Sequence, residues 1–498
     1  MTLLPAAPAD ANYWPLAVLV ICVVFIIVAI TRLRLHAFLA LVLAAFLAGF
    51  LTQEFSPGAI ERLPASMRAE ALSNSWIAAL ELTAVELGAA AGSIAISIGL
   101  ASIIGRCLME SGGADKVVRR FLAVFGEKRA GLALLTSTYF LSIPIFFDTM
   151  FMLMVPLARA LRLRTGRSYL LYLMAICAAA VLTHSLTVPH PGPLAMVDNL
   201  RVDPGLSLFW GIAAGIVPAI IGYLYIQWLD RRMDIPLREL PGTSLDELQA
   251  LADRPESELP SFFWSIAPVI VPVAMIGASS LLKVLAGFPA AVDALGGAAS
   301  FADLSRVIHF AGNKNIALLV GTAIAITVAL RQRKRSFNQL SGMLEGPIAT
   351  AAVIILITAA GGAFGAMLRH AGVGDAIKSV ATHYSIDLLV LAWLTSFIIR
   401  VAQGSATVAM LTASSILWPM IDPATAAALP YHTMYVFLAI GFGAFGCSWM
   451  NDSGFWVVSK LGGLTERETL KAWTSTVTVL SITGFAFTWL ASRFLPLV

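Results

Sequence analysis

The 498-residue sequence predicts an all-α polytopic membrane protein built from two repeats of opposite topology. Composition is the first observation. Hydrophobic residues make up 58% of the chain and charged residues only 12%, against roughly 25% charged in a soluble domain. The second is length: apolar runs able to cross a ~30 Å hydrocarbon core recur from end to end. The alternating ~10-residue segments of a membrane β-barrel are absent. The third is an internal repeat at an offset of 260 residues. GRCLMESGGAD at 105–115 aligns with GAMLRHAGVGD at 365–375, pairing Gly105 with Gly365, Leu108 with Leu368, Gly112 with Gly372 and Asp115 with Asp375. Carried forward, the offset sets Pro144 of SIPIFFD on Gly404 of AQGSATV, and VPHPGP beside WMNDSGF.

About ten full spans follow. In the first repeat they are 15–31, 36–52, 78–104, 169–188 running through a break to about 200, and 206–228. In the second they are 263–283, 315–330, 346–367, 433–458 with a break, and 473–491. Two further segments, 131–160 and 387–420, are interrupted midway and read as re-entrant hairpins. The division is therefore a first repeat over 1–232, a cytoplasmic linker over 233–261 and a second, inverted repeat over 262–498. The stretch 286–313 has room for a short extra helix on the outer surface. The N-terminus has no positively charged n-region, so the first span is expected to stay as an uncleaved anchor.

Positive charge sets the orientation. With the N-terminus outside, most of the 33 Lys and Arg fall in cytoplasmic loops, including the clusters RALRLRTGR and RQRKR. That holds only if 131–160 enters and leaves from the cytoplasm. The segment 387–420, flanked by sequence poor in positive charge, then enters from outside. Paired, oppositely oriented repeats with broken helices are the plan of secondary transporters, whose sites lie where the breaks meet.

Each break offers chemistry. In SIPIFFD, Pro144 removes a backbone donor and interrupts the helix. Exposed N–H groups near Ser142 suit an anion, and Asp148 is a carboxylate at membrane depth. The blander reading makes Pro144 a kink and pairs Asp148 with a basic residue. At the second tip Gly404 permits unusual backbone angles, and Gln403, Ser405 and Thr407 supply donors and acceptors. Arg400 either meets a substrate carboxylate or snorkels. THSLTVPHPGP holds three prolines in five residues, with His190 and Gly192 inside the break and His184 before it. A histidine can move a proton near neutral pH; equally, His184 can bond a neighbouring helix. Asn451, Asp452 and Ser453 form the polar cluster of the last break, which a plain turn also explains. Glu81 and Glu86 lie near the outer start of a span, facing a vestibule. Asp115 and Asp375 read as helix N-caps after Gly-rich turns.

The four cysteines, Cys22, Cys107, Cys177 and Cys447, form no CxxC and read as small core residues. There is no Walker loop and no HExxH. ATP drive, a metal, a cofactor and a nucleic-acid partner are therefore not expected.

SIPIFFD, the PHPGP stretch after Thr183-His184, RVAQGSATVA, and NDSGFW followed by TERETLKAW resemble, in that order, the gluconate permease family of bacterial sugar-acid:proton symporters. Val188 departs from the family's PPHPGP. The resemblance spans about residues 15 to 490 and implies uptake of gluconate or a related small hydroxy acid across the inner membrane. It also implies elevator-like motion and a homodimer. Ser142, Pro144, His190, Gly192, Gln403, Gly404, Ser405, Thr407, Asn451 and Ser453 are then the expected substrate-binding residues, and Asp148, His190 and Asp452 the proton-coupling candidates. A sodium-coupled carboxylate transporter of the same fold is the rival reading. A membrane enzyme using the histidines and aspartates is a third, without a nucleophile or metal motif to support it.

Overall fold

The computed structural model describes residues 13–53, 55, 57–166, 168–238, 255–286, 289–295, 297–333, 340–374, 376, 379, 387–421, 429–450 and 452–497. Among these the regular elements are all helices. Two apolar helices open the chain, α1 (Trp14–Thr31) and α2 (Ala37–Leu51), followed by the short α3 (Pro57–Glu61) and α4 (Ala65–Ser73).

Helix α5 (Ser75–Ser111) runs for 37 residues. At 1.5 Å per residue that is about 55 Å, well beyond a ~30 Å hydrocarbon core. Asn74 starts it by accepting the Trp76 N–H at 3.0 Å, and Gly112 ends it in the left-handed region at φ 75°. Next come the amphipathic α6 (Gly113–Phe125), α7 (Ala130–Leu141), α8 (Phe147–Thr165), α9 (Tyr169–Leu186), α10 (Pro191–Leu200) and α11 (Pro204–Asp230).

The rest of the chain is helical as well. After α12 (Phe262–Leu285), α13 (Pro289–Ala294), α14 (Gly297–Ala311) and α15 (Lys314–Arg333) comes α16 (Leu340–His370). Then follow α17 (Leu388–Gln403), α18 (Ala406–Ile421), α19 (Met434–Gly443) and α20 (Ser453–Gly462). The chain closes with α21 (Glu466–Thr469), a π turn over Leu470–Thr474, and α22 (Ser475–Phe494). The stretch expected to hold an extra helix carries α13 and α14.

The aligned sequence repeat is also a local structural one. Gly112 and Gly372 both sit at positive φ, 75° and 77°. The Gly112 N–H donates to Met109 O at 3.1 Å, and the Gly372 N–H to Arg369 O at 3.0 Å. One expectation is corrected here. Asp115 is not an N-cap: Gly112 holds that position, and Asp115 lies in the first turn of α6, paired with Arg119 Nε at 3.0 Å. Its repeat partner Asp375 lies outside the described residues.

Among the described residues, seven stretches are long and apolar enough to cross a membrane, and five shorter apolar helices accompany them. The five include both arms of the second interrupted segment and α19. Burial separates centre from rim. Almost every side chain of α9, and all of α19, is buried, so the two helices that break are not the ones facing lipid. Irregular backbone at membrane depth survives only where protein satisfies it. The two meet closely: a Cβ on Gly441 of α19 would stand 2.8 Å from Leu186 Cδ2 of α9. Around this centre α11 packs on α9 and α22, while α5, α16, α15 and α2 form a second group. Small residues permit that contact, since a Cβ on Gly49 would fall 2.6 Å from Ala79 Cβ.

Candidate functional site

The first tip lies between α7 and α8. Helix α7 closes with the Ser142 N–H on Thr138 O at 2.8 Å and the Ile143 N–H on Phe140 O at 3.3 Å. Pro144 follows, and the Ile145 N–H turns back to Ser142 O at 3.3 Å. Phe146, extended at ψ 150°, starts α8. The first-turn N–H groups of Phe147, Asp148 and Thr149 have no acceptor within the helix. The donors of this tip are thus at the start of α8 and not near Ser142, whose N–H is consumed by the turn before it.

The second tip, between α17 and α18, is shorter. Gly404 adopts φ 80° with its N–H on Arg400 O at 2.9 Å. Ser405 caps α18: its hydroxyl accepts the Val408 N–H at 3.3 Å, leaving the Ala406 and Thr407 N–H groups open.

The first break, between α9 and α10, contains a cis Val188–Pro189 peptide. His190 caps α10, and Pro191 and Pro193 remove two of its first-turn donors. His190 Nε2 donates to the Ser142 carbonyl at 2.7 Å. The second break lies between α19 and α20, where Asp452 caps α20 by accepting the Gly454 N–H at 3.0 Å. The other Asp452 oxygen accepts from the Ser448 hydroxyl and from the Arg400 guanidinium. Arg400 also donates to the Gly404 carbonyl, so one buried cation ties the second tip to the second break. Trp473, in the π turn, donates to Ser448 Oγ at 2.7 Å and fixes the far side of that network.

These four interruptions enclose one cavity of about 210 Å³. Asp148, Gly404, Ser405, Thr407, Asp452 and Ser453 lie on its wall, as do His184 and Arg400. Phe146, Phe147, Phe445 and Trp473 supply an aromatic lining. The N-termini of α8, α10, α18 and α20 all reach it, through Phe147, Pro191, Ala406 and Ser453. Each carries partial positive charge from unpaired N–H groups, and Arg400 adds a full one. Asp452 is matched by Arg400, whereas Asp148 makes no hydrogen bond or ion pair to another described residue and is exposed to the cavity. The place is small, cationic in its backbone and lined by hydroxyls, a chemistry that suits a small hydroxylated anion.

Not every expected residue reaches it. Ser142, Pro144, His190 and Gly192 are buried behind the wall. His190 is a strut under the first tip. Gly192 lets α10 approach α18, since a Cβ there would stand 2.1 Å from Met410 Cε. Asn451 and the side chain of Gln403 lie outside the described residues. His184, weighed in the sequence but ranked below His190, is on the wall, and the aromatic wall was missed. Trp473 carries no local signal, because only the fold returns the last helix to the second break. For Arg400 a signal existed: a lone cation within an apolar run at membrane depth marks function or a buried partner. Among the described residues, no group of three His, Cys, Asp or Glu is placed to hold a metal.

Known proteins resemble this chain along nearly its whole length. The family described as GntP family permease matches residues 14–494. The gluconate permease of Pseudomonas aeruginosa is 31% identical, covering 95% of this chain and 96% of its own length. The Gnt-II system L-idonate transporter of Escherichia coli is 27% identical over 94% and 97%. The D-serine transporter DsdX of Escherichia coli K12 is 28% identical over 97% and 99%. Among solved structures, the YdaH transporter of Alcanivorax borkumensis superposes with a TM-score of 0.59, covering 98% of this chain and 100% of that one at 14% identity. That likeness concerns the fold alone.

Proposed function

Because this chain belongs to the GntP permease family, a family of transporters and not enzymes, we propose that it imports gluconate or a closely related small hydroxy acid together with a proton. It is a multi-pass protein of the cytoplasmic membrane. The observation carrying the proposal is the convergence of four helix N-termini and Arg400 on one hydroxyl-lined cavity. The substrate carboxylate takes the N–H groups at the starts of α8 and α18. Ser405, Thr407 and Ser453 take its hydroxyls. A site that hydrogen-bonds hydroxyls rejects analogues lacking them, because buried groups are left unpaired. Two relatives that share this architecture are named for idonate and for D-serine, so the choice among small polar carboxylates lies in the wall side chains.

Asp148 is the coupling group in this reading. It is the carboxylate on the wall without a cation beside it among the described residues. Ionised, it repels an entering carboxylate; protonated, it donates a hydrogen bond to it. Proton and anion then load together with less net charge than the anion alone.

Alternating access follows from the duplicated order of helices, read as an inverted repeat of ten spans and two hairpins. The tips and breaks move as a unit, elevator-like, against α5 and α16, in a homodimer. Cavities flank the site on both sides, which supports this. One, of about 390 Å³, lies between α5, the first tip and the start of α16, with Gly105, Arg106 and Thr149 on its wall.

The test is uptake of labelled gluconate into proteoliposomes under a proton gradient, then a sodium gradient, then neither. Accumulation driven by protons alone is expected. Accumulation that requires sodium overturns the coupling ion, and none under any gradient overturns gluconate.

A further inference from the structure

A second polar cavity, of about 590 Å³, lies between α5, α10, α16 and α18. It is at the end of the molecule that the charge distribution assigns to the outside. Its acidic groups are already matched. Glu86 is held by Arg62 Nε at 2.9 Å and by His370 Nε2 at 3.0 Å. Asp198 lies 3.4 Å from Lys314 Nζ. Two guanidinium groups on the same wall are not matched. Among the described residues neither Arg201 nor Arg369 is within ion-pair distance of a carboxylate; Arg369 feels the Glu86 charge from farther off, a charge that Arg62 and His370 already hold. Arg201 lies over the ring of Trp418, 4.8 Å from its centroid, which orients it without neutralising it.

Arg369 is half-buried and Arg201 exposed at the outer mouth of the cavity. Two guanidinium groups on one wall, beyond the cations its carboxylates already bind, attract an anion. The neutral groups add to this. Asn199 Nδ2 donates to Ser414 Oγ at 2.9 Å and Ser415 Oγ at 3.1 Å, which fixes the amide and leaves its carbonyl oxygen as an acceptor. Paired guanidinium donors beside a fixed amide acceptor suit a carboxylate that carries hydroxyls. The cavity is also connected to the central site through structure. Helix α10 begins at the central wall with Pro191 and reaches the outer cavity at Asn199 and Arg201. Helix α18 begins there with Thr407 and reaches the outer cavity at Ser415 and Trp418.

We propose that this cavity is a separate binding site for a small hydroxy-carboxylate, in which Arg201 and Arg369 hold the carboxylate and Asn199 a hydroxyl. It captures the anion before transfer along α10 and α18 to the central site. The transfer rests on the transport reading above; the binding does not.

Ala89, exposed on this wall, provides the reporter. In Ala89→Cys, reaction with anionic and cationic methanethiosulfonate reagents is timed without ligand, with D-gluconate, and with sorbitol, which has the hydroxyls but not the carboxylate. Ser93→Cys is the second reporter. Cys22, Cys107 and Cys177 are buried, and the reaction of Cys447 is subtracted using the unsubstituted chain. Gluconate is expected to slow modification several-fold and sorbitol not at all. Added Arg369→Gln or Arg201→Gln removes the protection and reduces the preference for the anionic reagent about tenfold, while Arg369→Lys keeps part of both. Protection by gluconate no better than by sorbitol, or unchanged in Arg369→Gln, overturns the site. Uptake is measured on the same preparations, where Arg369→Gln is expected to raise KM about tenfold at constant maximal rate. Absence of uptake by the unsubstituted chain counts against the transport reading, while the labelling still decides the cavity.

Discussion

The two tips occupy equivalent places in the repeat yet are built in opposite ways. The first tip is braced from behind. Pro144 interrupts it, and the His190 ring, buried in the first break, holds the Ser142 carbonyl at 2.7 Å. The second tip is braced from within. Gly404 makes the turn at φ 80°, and Arg400, on the arm of the hairpin itself, binds the Gly404 carbonyl and reaches Asp452 in the second break. In each, a side chain spans from tip to break, but an imidazole ring does so on one side and an ion pair on the other. The consequence is chemical. Asp452 is neutralised by its strut, whereas Asp148 at the first tip has no cation beside it among the described residues. The difference between the two carboxylates is what the coupling proposal rests on.

Arg400→Gln should have the largest effect. It leaves Asp452 buried without its cation, which costs about 3–5 kcal/mol. Uptake should be lost and the melting temperature should fall. Adding Asp452→Asn should restore the melting temperature but not uptake. A single variant that still transports at the normal rate would show that the second tip does not depend on its ion pair. Asp148→Asn comes next, with an effect confined to coupling. Proton-driven accumulation should disappear, exchange of labelled for unlabelled gluconate should persist, and the melting temperature should be unchanged. Retained accumulation removes Asp148 from the coupling role.

His190→Ala attacks the imidazole strut. The Ser142 carbonyl keeps the Ile145 N–H at 3.3 Å but loses its shorter bond, at a cost of about 0.5–1.5 kcal/mol. Thermal unfolding and KM should both worsen, with His190→Gln in between; an unaltered KM would mean that the first tip keeps its place without the ring. Thr407→Val should do least. Losing one hydroxyl contact worth about 0.5–1.5 kcal/mol raises KM by roughly two- to tenfold without changing stability. A KM unchanged for gluconate but altered for a shorter hydroxy acid would move Thr407 to the edge of the site.

Much of the site was legible before any fold was available. Pro144, Gly404, the three prolines around His190 and the polar cluster at Asp452 each interrupt apolar sequence, and all four interruptions converge on one cavity. The order of interruptions was readable because proline and glycine act on their own backbone and that of immediate neighbours. What could not be read was which side chain faces inward. His190 lies in the break and looked better placed than His184, yet six residues of chain reverse that order: His184 is on the wall and His190 beneath it. Asp115 followed a glycine turn and suggested a cap, but the left-handed residue before it took the position.

The sequence by itself determined that this chain lies in a membrane and where four of its apolar segments are interrupted. These are properties of composition and local backbone chemistry, and they depend on residues within a few positions of each other. Tertiary structure alone decided the pairings: Arg400 with Asp452, Trp473 with Ser448, and His190 with the Ser142 carbonyl. Among the described residues, it also left Asp148 and not Asp452 without a cation. Those partners are separated by 25 to 52 positions along the chain. Only the packing of the two broken helices at the centre of the bundle sets their distances, and distance is what turns a list of polar residues into a site.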